Sequence, residues 1–471
     1  MYENNFEQND MGLPTSIGTA SDAQNLMKAL SAGDVVNPAA MGTGGNTLQF
    51  ESLEPQLVSA LAETTADFKL MQLQPRFKVG STVHQYTQET NSGSYEEIFS
   101  AEAEAPTEST SVFARITRNI KYMQTKRDIT LQMLKLNPTI GGSPEAVEER
   151  LGSLTLLKGA EWACFHGNEA ISDDIPSGYP AQIRSDASQN VFDMLGKKIS
   201  DTGGEGIITE AVRSVYEQGG EISDMYFPPI LAQGWMDLLK DRMRYDASSR
   251  IAGQKLTTFQ TSYGNDIMIS GRSGVDKMYS VKGIPTPSTS ASAPTAPTFA
   301  STPGASTTGT GFVTATAGDY EYVVYAVDIK GRISAASAQA TVTLAAGQEN
   351  SIVITRGAAD NTGFIVCRGK KDATSADVRE MYRVASAGAT TTTLDNNDEL
   401  PGTGEILMLS ANMAEKTFQF DSFMDLMRFD LGKVRASQPF LLAWYGTPDL
   451  KIANFNGLIK NIAHSGVDGW F

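Results

Sequence analysis

The chain has three histidines, His84, His166 and His464, set far apart. Zinc chemistry on one helix needs two histidines four residues apart, and structural zinc sites pair Cys or His at short spacing. Neither pattern occurs, and Cys164 and Cys367 stand alone, reading as small buried hydrophobes. No Gly-x-Ser-x-Gly elbow is present. Gly309–Phe312 (GTGF) lies in a low-complexity strip with no strand ahead of it. Gly42–Asn46 (GTGGN) is followed by no Lys-Ser or Lys-Thr. Neither reads as a phosphate or dinucleotide loop. Carboxylates are numerous, and a glycosidase-like pair is a juxtaposition the linear sequence leaves open. With no constellation assembled, we expect no catalytic residue, no metal site and no cofactor.

The pattern that does emerge is one of charge. Glu89, Glu96, Glu97, Glu102, Glu104 and Glu108 fall together with no Lys or Arg among them, and Arg115, Arg118, Lys121, Lys126 and Arg127 follow at once. The flanking residues alternate. In VFARITRNIKY (112–122), Val112, Ala114, Ile116, Ile120 and Tyr122 share one side, interrupted only by Arg118. STVHQYTQ (81–88) is read as similar, with Val83 among polar neighbours and then Tyr86. Period two means a half-buried strand, so residues 78–130 read as one long hairpin with an acidic tip. A loop of this length is normally functional or disordered, and a solvated charged loop is the alternative to a contact surface. Glu96, Glu97, Glu102 and Glu104 at the tip, with Arg115, Arg118, Lys121 and Arg127 behind it, are the candidates for contact with a neighbouring subunit. Complementary charge of this kind sets register more than affinity.

The chain has 54 acidic against 38 basic residues, a formal net charge of −16. This argues against a nucleic-acid-binding surface, which needs clustered Lys and Arg to neutralise phosphates. It argues equally against an anionic membrane. The start, MYENNFEQND, offers neither a basic nor an apolar segment, so no signal peptide is expected there. Apolar runs such as FLLAWY (440–445) fall far short of the ~20 residues of a membrane span.

The elements that must carry the hairpin can be read on either side of it. Residues 1–50 are small and polar and read as an extended arm. Ser143 and Pro144 open a helix, with Glu145, Glu148 and Glu149 at its positive end. Val147, Leu151, Leu154, Leu157, Ala160 and Cys164 recur at helical spacing up to His166-Gly167, giving a rod of roughly 33 Å. From 207 to 245 the order is a helix capped by Thr209, the strand ISDMYFPP (222–229), and a helix with Trp235. Residues 265–274 read as a strand and turn. Residues 284–311 are rich in Pro, Ser and Thr and read as an extended or mobile linker. Short Val-, Ile-, Thr- and Tyr-rich strands then follow from about 310 to 400, as in a β-sandwich. From 406 the earlier style returns. QPFLLAWYGTPDLKI (438–452) reads as a core strand, a turn and another strand. The sandwich therefore interrupts a domain that the chain comes back to finish.

The fold class is α+β, and the order of elements resembles the major capsid proteins of tailed bacteriophages, the HK97-like fold. The residues that carry the resemblance are GAEWACFHGN (159–168), TEAVRSVYEQGGEISDMYFPPILAQGWMDLL (209–239) and LLAWYGTPDLKIANFNGLIKNI (441–462). The chain is similar in a further way to a myophage-type subgroup that carries an immunoglobulin-like insertion before the last strands. The resemblance implies an N-terminal arm (1–50) and a capsid core in two parts (51–282 and 406–471). Within the core it implies an E-loop at about 78–128, a P-domain with its spine helix at about 144–167, and an A-domain at about 207–280. Residues 283–405 would be linker plus an inserted all-β immunoglobulin- or fibronectin-like sandwich. It further implies a homo-oligomer of hexamers and pentamers, with portal, scaffold and decoration proteins as further partners. Genomic DNA would be enclosed without sequence-specific binding, no membrane would be involved, and the protein would be made in the host cytoplasm and reside in the virion. An encapsulin-like compartment shell shares the implied fold. A glycan-active enzyme or adhesin with a fibronectin-like module is the rival of another class.

Overall fold

The computed structural model describes residues 68–93, 98–99, 102, 110–135, 143–239, 258–260, 266–270, 282–307, 311–357, 361–373, 377–410, 417–432, 436–467 and 470. The expected N-terminal arm lies outside the described residues. Phe68 leads into a short helix, α1 (Lys69–Leu73), and strand β1 (Arg76–Lys78). β2 (Val83–Asn91) and β3 (Val112–Asn119) form an antiparallel ribbon, and β4 (Lys121–Thr130) runs on into α2 (Leu131–Lys135).

Helix α3 (Pro144–His166) covers the stretch read as a rod. Pro144 takes its first position, where a missing N–H costs nothing. Ser143 has the extended backbone of an N-cap, although its hydroxyl makes no capping bond. Then come α4 (Tyr179–Asp186), β5 (Val191–Asp193), α5 (Gly204–Glu217), β6 (Asp224–Tyr226), α6 (Pro229–Leu239), β7 (Thr258–Gln260) and β8 (Asp266–Ser270). Helix α5 starts earlier than the expected cap at Thr209. Gly203 turns the chain at φ 92°, a conformation that suits glycine, and Thr209 sits inside the helix with its hydroxyl donating to Glu205 O at 2.9 Å.

The middle of the chain is all strand: β9 (Thr298–Ala305), β10 (Gly318–Asp328), β11 (Ala340–Leu344), β12 (Gln348–Thr355), β13 (Asn361–Gly369), β14 (Val378–Ala385) and β15 (Thr390–Asp395). β9 corrects the reading of the Pro/Ser/Thr-rich strip as a linker. It pairs antiparallel with β12 along its length, and Phe299 packs against the module's core. As an edge strand it can carry Pro303. The two sheets, β11-β10-β13-β14 and β15-β12-β9, share one core of Tyr322, Val324, Ile352, Ile354, Phe364 and their neighbours. The buried Arg368 joins them, donating to Asp395 at 2.7 Å while lying over the Tyr320 ring.

The closing strands are β16 (Gly404–Leu409), β17 (Phe418–Asp430), β18 (Ser437–Leu450) and β19 (Gly457–Ile462). They complete sheets begun before the module. One sheet runs β1-β17-β18-β4, and a six-stranded one runs β5-β19-β16-β6-β8-β7. β18 is one continuous strand through Gly446 and Pro448, where a turn was expected. It is held by β17 on one side and by β4 as far as Gly446 on the other.

Helix α3 lies on the four-stranded sheet, where Leu156, Ala160, Cys164 and Phe165 meet Phe420, Phe440, Leu442 and Trp444. Gly152 lets it approach, since a Cβ there would stand 2.5 Å from Leu442 Cδ1. Helices α5 and α6 cover the six-stranded sheet, with Val212, Val215, Leu231 and Trp235 against Met225, Ile406, Met408 and Ile459. Each such side chain contributes roughly 1.5–3 kcal/mol by burial. Both cysteines are buried and unpaired. No helix among the described residues is long and apolar enough to cross a membrane.

Candidate interface hairpin

Among the described residues the β2–β3 ribbon is a two-stranded sheet with no third strand. Such a ribbon is marginal in water unless something else holds it. Its base is held. Ile120 N donates to Thr82 O at 2.9 Å, and Val79 N to Ser422 O at 2.9 Å, fixing both limbs where they leave the core. The strand phase breaks at Ile120, where the chain passes from the ribbon into the four-stranded sheet. Lys121 therefore turns inward and Tyr122 outward, at 55% exposed, which corrects the expectation that Tyr122 shares the half-buried side.

Polar groups dock the ribbon onto the end of β18. Arg118 Nε donates to Asp449 Oδ1 at 2.9 Å and its Nη2 to Asp186 Oδ2 at 2.9 Å. Burial works against the Arg118 charge, but the bonds to Asp186 and Asp449 outweigh it and its pKa rises. The Tyr86 hydroxyl lies against Leu450 O at 3.2 Å, and its pKa is raised by burial and by Asp449. Lys451 stands with its ammonium 3.7 Å from the centre of the Tyr86 ring.

Among the described residues, His84, Asp421 and Asp449 bring their ligating atoms within 4.8 Å of one another, close enough to share a metal ion. The Lys451 ammonium stands among the same atoms, 3.0 Å from His84 Nε2, 2.6 Å from Asp449 Oδ2 and 3.8 Å from Asp421 Oδ2. The trio thus holds a cation of the chain's own. Burial lowers the His84 pKa, and the Lys451 charge lowers it further. Burial raises Asp421 to about 6, with Lys451 opposing and Asp449 reinforcing.

Of the residues singled out from the sequence, Glu96, Glu97 and Glu104 lie outside the described residues. Glu102 and Arg115 are exposed. The other three are engaged within the chain. Arg118 is bound as above, Lys121 pairs with Glu169 at 2.8 Å and Asp173 at 3.1 Å, and Arg127 lies 3.5 Å from Glu148 and donates to Thr155 at 3.0 Å. Sequence reasoning missed Asp421, Asp449 and Lys451, whose partners on the hairpin, His84, Tyr86 and Arg118, lie hundreds of residues away. The distal part of the ribbon and the described residues of its loop expose large apolar side chains among polar ones such as Glu89, Thr90, Asn91 and Glu102. Phe99 is 77% exposed, Ile98 68%, Phe113 63% and Val112 53%. Elsewhere, a groove of about 530 Å³ runs beside α3, floored by Leu154, Leu157, Leu426 and Trp444 and rimmed by Arg76 and Arg150.

No protein-family model matches the sequence, and no curated protein matches it. Solved structures do resemble it in fold. The capsid of a native GTA particle superposes with a TM-score of 0.45 at 10% identity, over 91% of this chain and 100% of that chain. A structure from Mycobacterium phage Bobi gives 0.43 at 10% identity, over 91% of this chain and 99% of that one. The holo-SrpI encapsulin complex from Synechococcus elongatus gives 0.37 at 9% identity, over 89% of this chain and 94% of that one. With TM-scores under 0.5, these likenesses do not decide what the chain does.

Proposed function

We propose that the chain is a major capsid protein that self-assembles into an icosahedral shell around a viral genome. The observation that carries this reading is the hairpin. A two-stranded ribbon is docked firmly at its base, yet it carries Phe99, Ile98, Phe113 and Val112 exposed towards its far end. An exposed apolar patch on a projecting arm is an interaction surface, and a second copy of the chain is the partner proposed for it. Repeated around a shell, each modest contact is multiplied by the number of copies.

On this reading residues 1–50 are the N-terminal arm, 78–128 the E-loop, 144–167 the spine helix of the P-domain and 207–280 the A-domain. The module within 283–405 is an immunoglobulin-like insertion, and 406–471 completes the core. The copies would form hexamers and pentamers, joined by portal, scaffold and decoration proteins. Glu96, Glu97, Glu102 and Glu104 at the tip and Arg115 on β3 are the charged contacts available to a neighbour. Arg118, Lys121 and Arg127 act instead by fixing the hairpin and sheet within each copy. The work is mechanical, and no step of it is catalytic.

Electron microscopy of the expressed protein tests this. Shells, tubes or capsomers are expected. Phe99→Ser with Phe113→Ser should leave the subunit folded and reduce assembly at least tenfold, the equivalent of about 1.4 kcal/mol in the assembly equilibrium. Uniform monomers under all assembly conditions, or full assembly of the double variant, would overturn the reading.

A further inference from the structure

The neck where the module joins the rest of the chain is a cavity of about 260 Å³ whose mixed wall includes Arg184, Lys282, Glu380, Arg383, Glu399 and Glu405. The backbone is stitched across it. Lys282 N donates to Thr403 O at 3.1 Å, Glu380 N to Gly283 O at 3.0 Å, and Gly402 N to Glu380 O at 3.2 Å. Both chain crossings thus bind each other and β14. The side chains repeat the pattern. Arg383 donates twice to Glu380, at 2.7 and 3.2 Å, on the module side. Arg184 of α4 pairs with Glu405, and Lys282 with Glu399, lying also 3.5 Å from Glu405. His166, the last residue of α3, lines the same cavity.

We propose that this neck is an acid-released clasp, holding the module in one orientation at neutral pH and freeing it to swing when protons enter the charged cavity. The inference concerns the single chain and stands whether or not the shell reading does.

The protonation states agree in direction. Burial pushes the Glu405 carboxyl up, but Arg184 and Lys282 outweigh it and hold it at about 2. Burial likewise opposes, and Lys282 overcomes, for Glu399; Arg383 does the same for Glu380. Burial and then Arg383 lower His166 to about 4. His464, whose Nε2 lies 3.0 Å from Gly402 O, is lowered by burial; the bond to Gly402 O opposes this and Arg379 adds to it. Lys460, which reaches Glu399 at 3.4 Å and Asp398 at 2.8 Å, is raised by those acids against the cost of burial. Tyr382, also on the cavity wall, is raised by burial and stays neutral throughout. Asp193 is the exception, raised by burial, and it is bonded to Asn461 on the core side, where opening leaves it in place.

A carboxyl or an imidazole held below its ordinary pKa resists protons that the open form accepts, so acid favours opening for both. For His166 the window runs from 6.5 down to about 4. The carboxylates extend it below 4.5, the Glu405 window reaching about 2. From these values His166 alone raises the open-to-closed ratio roughly twentyfold between pH 7 and pH 5.

Spin labels at Glu217→Cys on α5 and Ala346→Cys on the module, both exposed sites, read the angle in the full chain by pulsed dipolar spectroscopy. The native thiols are buried and stay unlabelled. One narrow distance is expected at pH 7.5, and a second, broad population growing about twentyfold relative to it by pH 5. In a His166→Gln background that growth should shift to below pH 4.5. Glu380→Gln with Glu399→Gln and Glu405→Gln should show the broad population already at pH 7.5; if that variant does not fold, the His166→Gln profile decides. A single narrow distance down to pH 4.5 overturns the proposal. So does a His166→Gln profile matching the unmodified chain, or loss of near-ultraviolet circular dichroism at the same pH, which would mean unfolding rather than release.

Discussion

Arg118 and Asp449, 331 residues apart in sequence, meet at 2.9 Å and bind the root of the hairpin to the end of β18. Asp449 is fully buried, and its Oδ1 accepts from Arg118 while Lys451 faces its Oδ2. Removing one partner of such a pair leaves a buried charge partly uncompensated, which costs more than the pair gains. Arg118→Ala should therefore destabilise the chain by about 2–3 kcal/mol in denaturant unfolding. Arg115→Ala, three residues away on the exposed face of β3, should change stability by no more than about 0.5 kcal/mol. Equal effects at the two sites would remove the case for a docked base.

Glu161 lies in the last third of α3 with its side chain buried and neither carboxyl oxygen hydrogen-bonded to another side chain. Burial raises its pKa to about 8, a backbone N–H at Leu70 opposing only in part. The unfolded chain releases this proton near the ordinary value of 4.5, the folded chain only near 8. The folded state binds more protons between those limits, so stability falls as pH rises from about 4.5 to about 8 and is flat above. The loss attributable to this group is about 3–5 kcal/mol. Glu161→Gln should flatten the stability–pH curve over that range, measured by urea midpoints at half-unit steps. A variant curve parallel to that of the unmodified chain would show that Glu161 is not the source.

What the sequence made legible follows from locality. Ser143-Pro144 and Gly167 bracket α3, and alternation from Val112 to Ile116 marks β3, because each signal lies within the element it describes. β9 was hidden, since only Phe299 among its residues contributes a large apolar side chain and its strand character comes from β12. Gly446-Thr447-Pro448 has turn composition, but β17 pairs with it throughout. Pro448 falls where β4 has already left, so its missing N–H disrupts no second ladder. At the candidate interface the basic run was visible, but its acids were not. Asp186, Glu169 and Glu148 lie in other elements, so residues that look available in one dimension are already paired in three.

Gly167 closes α3 under a geometric constraint that has nothing to do with backbone angle, its φ being an ordinary −60°. A Cβ there would stand 2.0 Å from Pro176 O and 2.5 Å from Ala163 O, both backbone atoms that cannot rotate aside. Gly167→Ala should cost about 1–3 kcal/mol, the range for overpacking a tight site. Gly159→Ala in the same helix, with nothing near the added carbon, should stabilise by up to about 1 kcal/mol. Thermal melts of the two variants moving in opposite directions would support the account; a neutral Gly167→Ala would contradict it.

Excising the module tests whether it belongs to the core. Its packed residues form clusters of their own, centred on Tyr322 and Val323, distinct from those around Phe420 and Met225. The strands flanking it are joined independently, since β16 lies between β19 and β6 in the six-stranded sheet. Replacing residues 284–397 with a short Gly-Ser bridge keeps Lys282, Asp398, Glu399 and Glu405, and with them the ion pairs nearest the core. It removes the Glu380–Arg383 pair and the contact from Ser172 Oγ to Asp328 O at 3.1 Å. The shortened chain should fold cooperatively and lose about 1–3 kcal/mol, the cost of a few lost hydrogen bonds and newly exposed neighbours. A shortened chain that stays unfolded in circular dichroism at 10 °C, while the full chain folds under the same conditions, would mean that the two parts share a single folding unit.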